Sequence, residues 1–421
     1  MKRKAALITL IPLLAIGLTA SFTFVTHYEE AKAYSPSDPF YTGESKIKVG
    51  ESYIYQNIAL GYVGALEVVW NTHLGAGTTV AIIDSGIDIN HPDLQGKILA
   101  NSAYITRNPS NPMKAVVHAG LEYLTHDFDK DKYVSHGTNT AGVIAAKMNN
   151  QGIVGIAPEA NILAIKVDMY NVSVHEAIKY ATDNGADVIN ISLGTYAEPY
   201  VNGYTGEVHN VKNKDYFENA DKEFQPSINY AYEHNVIIVA SAGNEKTSVK
   251  CYPAANKHVI GVGAFKPYSN KEAAVFSNYN DSSALPTDDV SVDVCAPGYV
   301  VTTDFQGPRD AGVSTYCQTQ GTSFSAPIVS AAALLWKEKY PLGTPDQFKS
   351  DLIKSCIDVG KSGWDPIYGF GALNIQYLLN GSKPTNRGCF GSLQTTSILL
   401  STISLIGIGL IIIKKMNKKE E

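Results

Sequence analysis

The chain has 421 residues, 44% hydrophobic and 18% charged, enough for one large or two smaller domains with a real core. A net charge of -6 without a basic block in the body argues against nucleic acid as a partner. The five cysteines, Cys251, Cys295, Cys317, Cys356 and Cys389, show neither CxxC nor Cys/His spacing, which argues against zinc; their odd number leaves a thiol unpaired or modified in an exported chain.

At the start, Lys2, Arg3 and Lys4 precede an apolar stretch that runs to about Val25, and Ala31-Lys32-Ala33 offers a small-x-small cleavage site. Residues 1–33 are therefore expected to be a secretory signal peptide, an uncleaved anchor being the alternative. The body is expected at 34–380. Residues 78–83 are β-branched and apolar, as in a strand buried on both faces, and they end at Asp84-Ser85-Gly86. A helix is expected over 138–147, a strand over 161–167, a helix over 173–184 and a strand over 187–193. Then come a helix over 226–234, a strand over 236–240 ending at Ser241-Ala242-Gly243-Asn244, and a strand over 259–264. Such alternation implies an α/β fold in three layers, a mostly parallel central sheet with helices on both faces. In such sheets ligands bind beyond the carboxyl ends of the strands, the edge where Asp84 and Asn244 fall.

Near the end of the body, Gly321-Thr322-Ser323-Phe324-Ser325-Ala326-Pro327 leads into an apolar run with helical spacing, placing Ser323 at or near a helix N-terminus. A nucleophile is well served there, because unpaired N–H groups stabilise the oxyanion made by attack on a carbonyl; the plainer role is an N-cap. His136 precedes a helical run of small residues. Asp84, after a buried strand, is costly without a partner. Acyl transfer needs a nucleophile, a base, an orienting group and an oxyanion donor, and Ser323, His136, Asp84 and Asn244 supply one of each.

Beyond the body, residues 381–390 read as a linker. Residues 391–413 carry no charge and reach spanning length, as a transmembrane helix does, with a buried core helix as the alternative. Lys414, Lys415, Lys418 and Lys419 follow, so residues 414–421 are expected in the cytoplasm and the body on the extracellular face of a cell membrane, single-pass. Cys389 is a possible processing or lipidation point or an incidental thiol.

Several blocks in order resemble those of the subtilisin-like serine proteases: Asp84-Ser85-Gly86-Ile87-Asp88, His91-Pro92-Asp93-Leu94, His136-Gly137-Thr138, Ser192-Leu193-Gly194, Ala242-Gly243-Asn244 and Gly321 to Pro327. The order Asp, His, Ser is that family's, and the likeness runs over about 38–378. It implies that Ser323 attacks the scissile carbonyl, His136 carries the proton, Asp84 holds the imidazole, and the Asn244 amide with the Ser323 N–H binds the oxyanion. Ser192-Leu193-Gly194 is implied to pair with the substrate backbone, and Ser241-Ala242-Gly243 to line the far side of the first specificity pocket. It also implies a structural calcium site: side-chain oxygens of Asp93 and Asn149 with the carbonyls of Lys147, Gln151 and Ile153. A metal-free turn is the alternative, and the N-terminal ligand the family often adds has no evident counterpart.

The chain departs from the family in three places. Residues 34–77 are short for a pro-domain plus lead-in, 101–131 are longer than in compact members, and 196–224 form an aromatic and acidic insertion, either a cleft wall or a solvated decoration. Cys251 is expected near the pocket floor, as lining or as half of a disulfide. The resulting expectation is a membrane-tethered, monomeric serine endopeptidase acting on peptides or proteins, with a dedicated processing role as the favoured reading. Its rivals are a broad scavenging protease and an inactive binding module on the same fold.

Overall fold

The computed structural model describes residues 36–381, except 44–46, 50–51, 55, 65, 125–135, 210–219, 268 and 306–315. The expected signal peptide, membrane span and tail lie outside the described residues, as do Cys389 and nearly all of the linker. Among the described residues no helix is long and apolar enough to cross a membrane.

Eight strands make the central sheet: β1 (Thr79–Asp84), β2 (Ala103–Arg107), β3 (Ala115–Ala119), β4 (Asn161–Val167), β5 (Val188–Ile191), β6 (Ile237–Ser241), β7 (Val259–Phe265) and β8 (Val294–Pro297). Their spatial order is β8-β7-β6-β5-β1-β4-β2-β3. Every pairing is parallel except β2 with β3. The long connection expected over 101–131 therefore begins by extending the sheet with an antiparallel edge.

Side-chain alternation divides the sheet between two cores. Val80 and Ile82 of β1 face one layer with α1 (His136–Ala145) and α4 (Thr322–Lys339). Ala81 and Ile83 face the other, with α2 (Asn171–Asp183) and α3 (Ala220–Glu233). Because α4 is buried from Thr322 to Lys337, its serines included, it is enclosed on all sides rather than striped.

Element boundaries differ from expectation in several places, and the expected strands do not include β2, β3 or β8. Helix α1 starts two residues early, at His136 itself. A Cβ on Gly137 would lie 3.2 Å from the Asp84 Cβ and would overlap the Gly86 carbonyl, so glycine is what lets this turn close onto the end of β1. Helix α3 starts at Ala220 and carries Pro226 inside it, where the pattern had placed the start; Lys222, four residues back, is exposed on the surface. The insertion is not a mere decoration. Its ends, Tyr196 and Phe224, are both buried, and Thr195–Tyr196 pairs antiparallel with Cys251–Tyr252. Between them, Tyr200–Val201 and Val208–His209 form a small hairpin.

Candidate active site

Asp84 ends β1 nearly out of contact with solvent. Its carboxylate meets His136 Nδ1 at 2.8 and 3.0 Å and accepts the Ser85 N–H at 2.7 Å. A buried charge is tolerated here because imidazole and amide both face it. The Ser85 hydroxyl in turn accepts the Gly137 N–H at 3.2 Å, fixing the first turn of α1 against the strand end. With Nδ1 committed to Asp84, Nε2 is the imidazole nitrogen left to exchange a proton.

Ser323 lies one residue inside α4, whose N-cap position is Gly321, so it is not the helix cap. Its hydroxyl donates to the Ser192 carbonyl at 3.2 Å, and the Ser192 hydroxyl donates to the Ser323 carbonyl at 2.8 Å. The second bond has a local cause. Pro327 has no N–H to offer the carbonyl four residues back, which is that of Ser323, and the Ser192 hydroxyl supplies the missing donor. Behind Ser192 a buried chain continues, with Asn190 Nδ2 donating to Ser192 Oγ and Ser330 Oγ donating to Asn190 Oδ1, both at 2.9 Å. The Phe324 ring lies 5.4 Å from the His136 ring, joining the starts of α1 and α4.

Asn244 Oδ1 accepts from the Thr322 N–H at 2.8 Å and its hydroxyl at 3.1 Å. Holding the oxygen end leaves the nitrogen end of the amide as a donor. The geometry thus brings Asp84, His136, Ser192, Asn244 and Ser323 to one edge of the sheet. Leu193 and Gly194 follow Ser192, while Ser241 ends β6 and Ala242 follows it, both buried, the Ala242 N–H donating to the Val262 carbonyl at 3.0 Å. Gly243 donates to Thr322 Oγ1 at 3.1 Å. Cys251 is buried and free, not half of a disulfide, and burial pushes its thiol up to about 12.

A second cluster surrounds Asp93. Its carboxylate accepts from the Ile153 N–H at 3.1 Å and the Asn149 amide at 3.2 Å, and its carbonyl accepts the Lys147 N–H at 2.9 Å. Asn149 Oδ1 accepts the Gln151 N–H at 2.9 Å, so that oxygen reaches a cation only after the amide turns over. Sequence reasoning missed Asp38, which is fully buried and accepts the Asn149 N–H at 3.1 Å. It precedes a four-residue helix without capping it by its side chain, and nothing in its sequence setting marked it as a ligand.

Burial pushes Asp93 up to about 6 and Asp38 also upward, and Asp38 adds to the repulsion on Asp93. Among the described residues Asp38 Oδ2 has no hydrogen-bond partner. Two buried carboxylates, one with an orphaned oxygen, beside amide and carbonyl oxygens form a donor set suited to a hard cation.

Residues 75–371 match the subtilase family, Peptidase_S8. The chain is 30% identical to fervidolysin of Fervidobacterium pennivorans, across 80% of this chain and 46% of that protein. It is 32% identical to a thermophilic serine proteinase of Bacillus sp. strain AK1, across 72% and 60% of the two. Against thermitase of Thermoactinomyces vulgaris it is 30% identical across 71% and 84%. The chain thus spans about half of the first relative and three fifths of the second. The solved structure of fervidolysin, a keratinolytic enzyme related to subtilisin, superposes with a TM-score of 0.57 at 28% identity, across 79% and 46%. A lanthipeptide protease shares the fold at a TM-score of 0.60 and 24% identity, across 83% and 99%.

Proposed function

We propose, for a chain that belongs to the subtilase family, an extracellular serine endopeptidase that works through an acyl-enzyme. His136 Nε2 takes the Ser323 hydroxyl proton as Oγ attacks the scissile carbonyl, and later delivers it to the leaving amine. Asp84 holds the imidazole by Nδ1 and stabilises the imidazolium. The Asn244 amide and the Ser323 N–H receive the oxyanion at the N-terminus of α4. Ser192-Leu193-Gly194 pairs with the substrate strand, and Ser241-Ala242-Gly243 walls the opposite side.

The observation that carries this reading is the paired Asp84–His136 contact at the sheet edge where α4 presents Ser323. Calcium, which subtilases commonly bind as a structural ion, would be held by Asp38, Asp93, Asn149 and the carbonyls of Lys147, Gln151 and Ile153. It would tie the N-terminal segment to the loop after α1 and take no part in the reaction.

Residues 391–413 tether the enzyme to the membrane, with 414–421 in the cytoplasm and 1–33 removed on export. The uncharged span and its lysine flank support this. The insertion beside the pocket favours a dedicated processing role over scavenging. The test is hydrolysis of a diverse peptide library by the full chain and by Ser323→Ala. Cleavage by the first alone is expected, whereas equal cleavage by both removes the mechanism.

A further inference from the structure

The start of the insertion packs against Gly243, one of two glycines that flank the place a substrate side chain would enter. On the peptidase reading, that side chain enters between Ser192-Leu193-Gly194 and Ser241-Ala242-Gly243, where the two glycines leave room. The room is already occupied. A Cβ on Gly194 would lie 2.5 Å from the Cys251 sulfur, and one on Gly243 would overlap the Tyr196 hydroxyl and the Asn278 amide.

Tyr196 is held there from several directions. Its hydroxyl donates to Glu245 Oε2 and accepts from Asn278 Nδ2 at 2.8 Å. Its backbone pairs with Cys251. The Tyr200 ring lies 4.3 Å from it and the His209 ring stacks on Tyr200 at 4.7 Å, so the hairpin braces the side chain. The hairpin is pinned back by the Gly203 N–H on the Glu245 carbonyl at 2.8 Å. Glu245 Oε2 also accepts the Asn244 N–H at 2.7 Å, which ties Tyr196 to the same segment as the oxyanion donor. Moving the ring aside would break a buried bond to Asn278 and a part-buried one to Glu245, the first costly to leave unmade.

We infer that Tyr196 is a specificity-determining residue: its ring and hydroxyl, with the Cys251 thiol beneath, close the first specificity pocket, so the chain cleaves after glycine, alanine or serine and rejects large side chains, basic ones included. This rests on the peptidase reading, and it gives the insertion a defined task. Glu245, engaged by Tyr196 and by the Asn244 N–H, is a brace for the ring rather than the counter-ion of a substrate lysine or arginine.

The test uses the full chain and peptides that differ only in the residue before the cut: alanine, leucine, phenylalanine and lysine. The alanine peptide is expected to exceed the phenylalanine and lysine peptides in kcat/KM by about 100-fold, the range that steric exclusion from a pocket reaches. Tyr196→Ala should shrink the alanine-to-phenylalanine ratio at least tenfold. Tyr196→Phe, which keeps the ring, should hold that ratio within about threefold, and it serves also if the alanine variant does not fold. Wild-type preference for phenylalanine, leucine or lysine overturns the assignment. So does a ratio that Tyr196→Ala leaves unmoved while the variant stays folded. Hydrolysis of p-nitrophenyl acetate, which has no residue before the cut, reports the chemistry alone. Its absence overturns the peptidase reading, whereas its presence with no preference for alanine overturns only the closed pocket.

Discussion

Asp84 and Asp93 are both buried carboxylates, yet they sit in opposite kinds of surroundings. Asp84 meets an imidazole nitrogen with both oxygens and takes a backbone N–H on one of them. Asp93 has an amide and an N–H but also a second carboxylate, Asp38, near enough to push it further up, and one oxygen of Asp38 has no partner among the described residues. The first arrangement is complete with the chain's own groups. The second gathers negative charge that its own donors only partly offset, the condition under which a cation stabilises a fold.

If that contrast is right, disturbing the first region should remove activity and spare stability, while disturbing the second should do the reverse. The largest effect is expected from Ser323→Ala. Peptidase activity should fall roughly a millionfold, a magnitude taken from subtilisin itself rather than derived from this chain, with circular dichroism and melting unchanged. Asn244→Ala comes next, with a loss of roughly 100- to 1000-fold in kcat and little change in KM; that magnitude too comes from a subtilisin asparagine. A rise in KM alone would show that Asn244 holds the ground state, not the oxyanion.

On the other side of the comparison, chelation should lower the melting temperature by several degrees. A cation at 100 times its dissociation constant stabilises the native state by about 2.7 kcal/mol. Asp38→Ala should abolish the calcium response, since it removes the orphaned oxygen. Melting curves that coincide with calcium and with chelator, in the unaltered chain, would show that these carboxylates manage without an ion. The smallest effect concerns the exposed acids of the insertion. Replacing Glu198 and Glu207 by glutamine should slow association with peptides that carry basic residues away from the cut by a few-fold at low salt, and the difference should vanish at high salt.

The sequence made the catalytic edge legible because each member lies in a short run of small residues at the end of a strand or the start of a helix. Asp84 after a both-faces-buried strand, His136 before Gly137, and Ser323 at the start of a largely apolar helix can each be read locally. Five of the eight sheet strands were legible as apolar runs, whereas β2, β3 and β8 were not; in β2 and β3 polar and part-exposed residues break the run. Asp38 was not legible, since its partner Asn149 is 111 residues away and Asp-Pro reads equally well as a helix start. Nor was the place of Tyr196, which is fixed by Glu245, Asn278 and Cys251 from three separate stretches. Aromatic and acidic composition alone left a cleft wall and a solvated decoration equally open. The early start of α1 at His136 rests on a close approach of Gly137 to Gly86 that no periodicity displays.

The central claim is that the Asp84–His136 pair activates Ser323, and covalent labelling tests it most directly. Reaction of the full chain with a fluorophosphonate, followed by peptide mass spectrometry, should place one adduct on Ser323 Oγ and lose it when His136 is replaced by alanine in a protein that still melts cooperatively. An adduct on another residue, or labelling of Ser323 at the same rate without His136, would contradict the account.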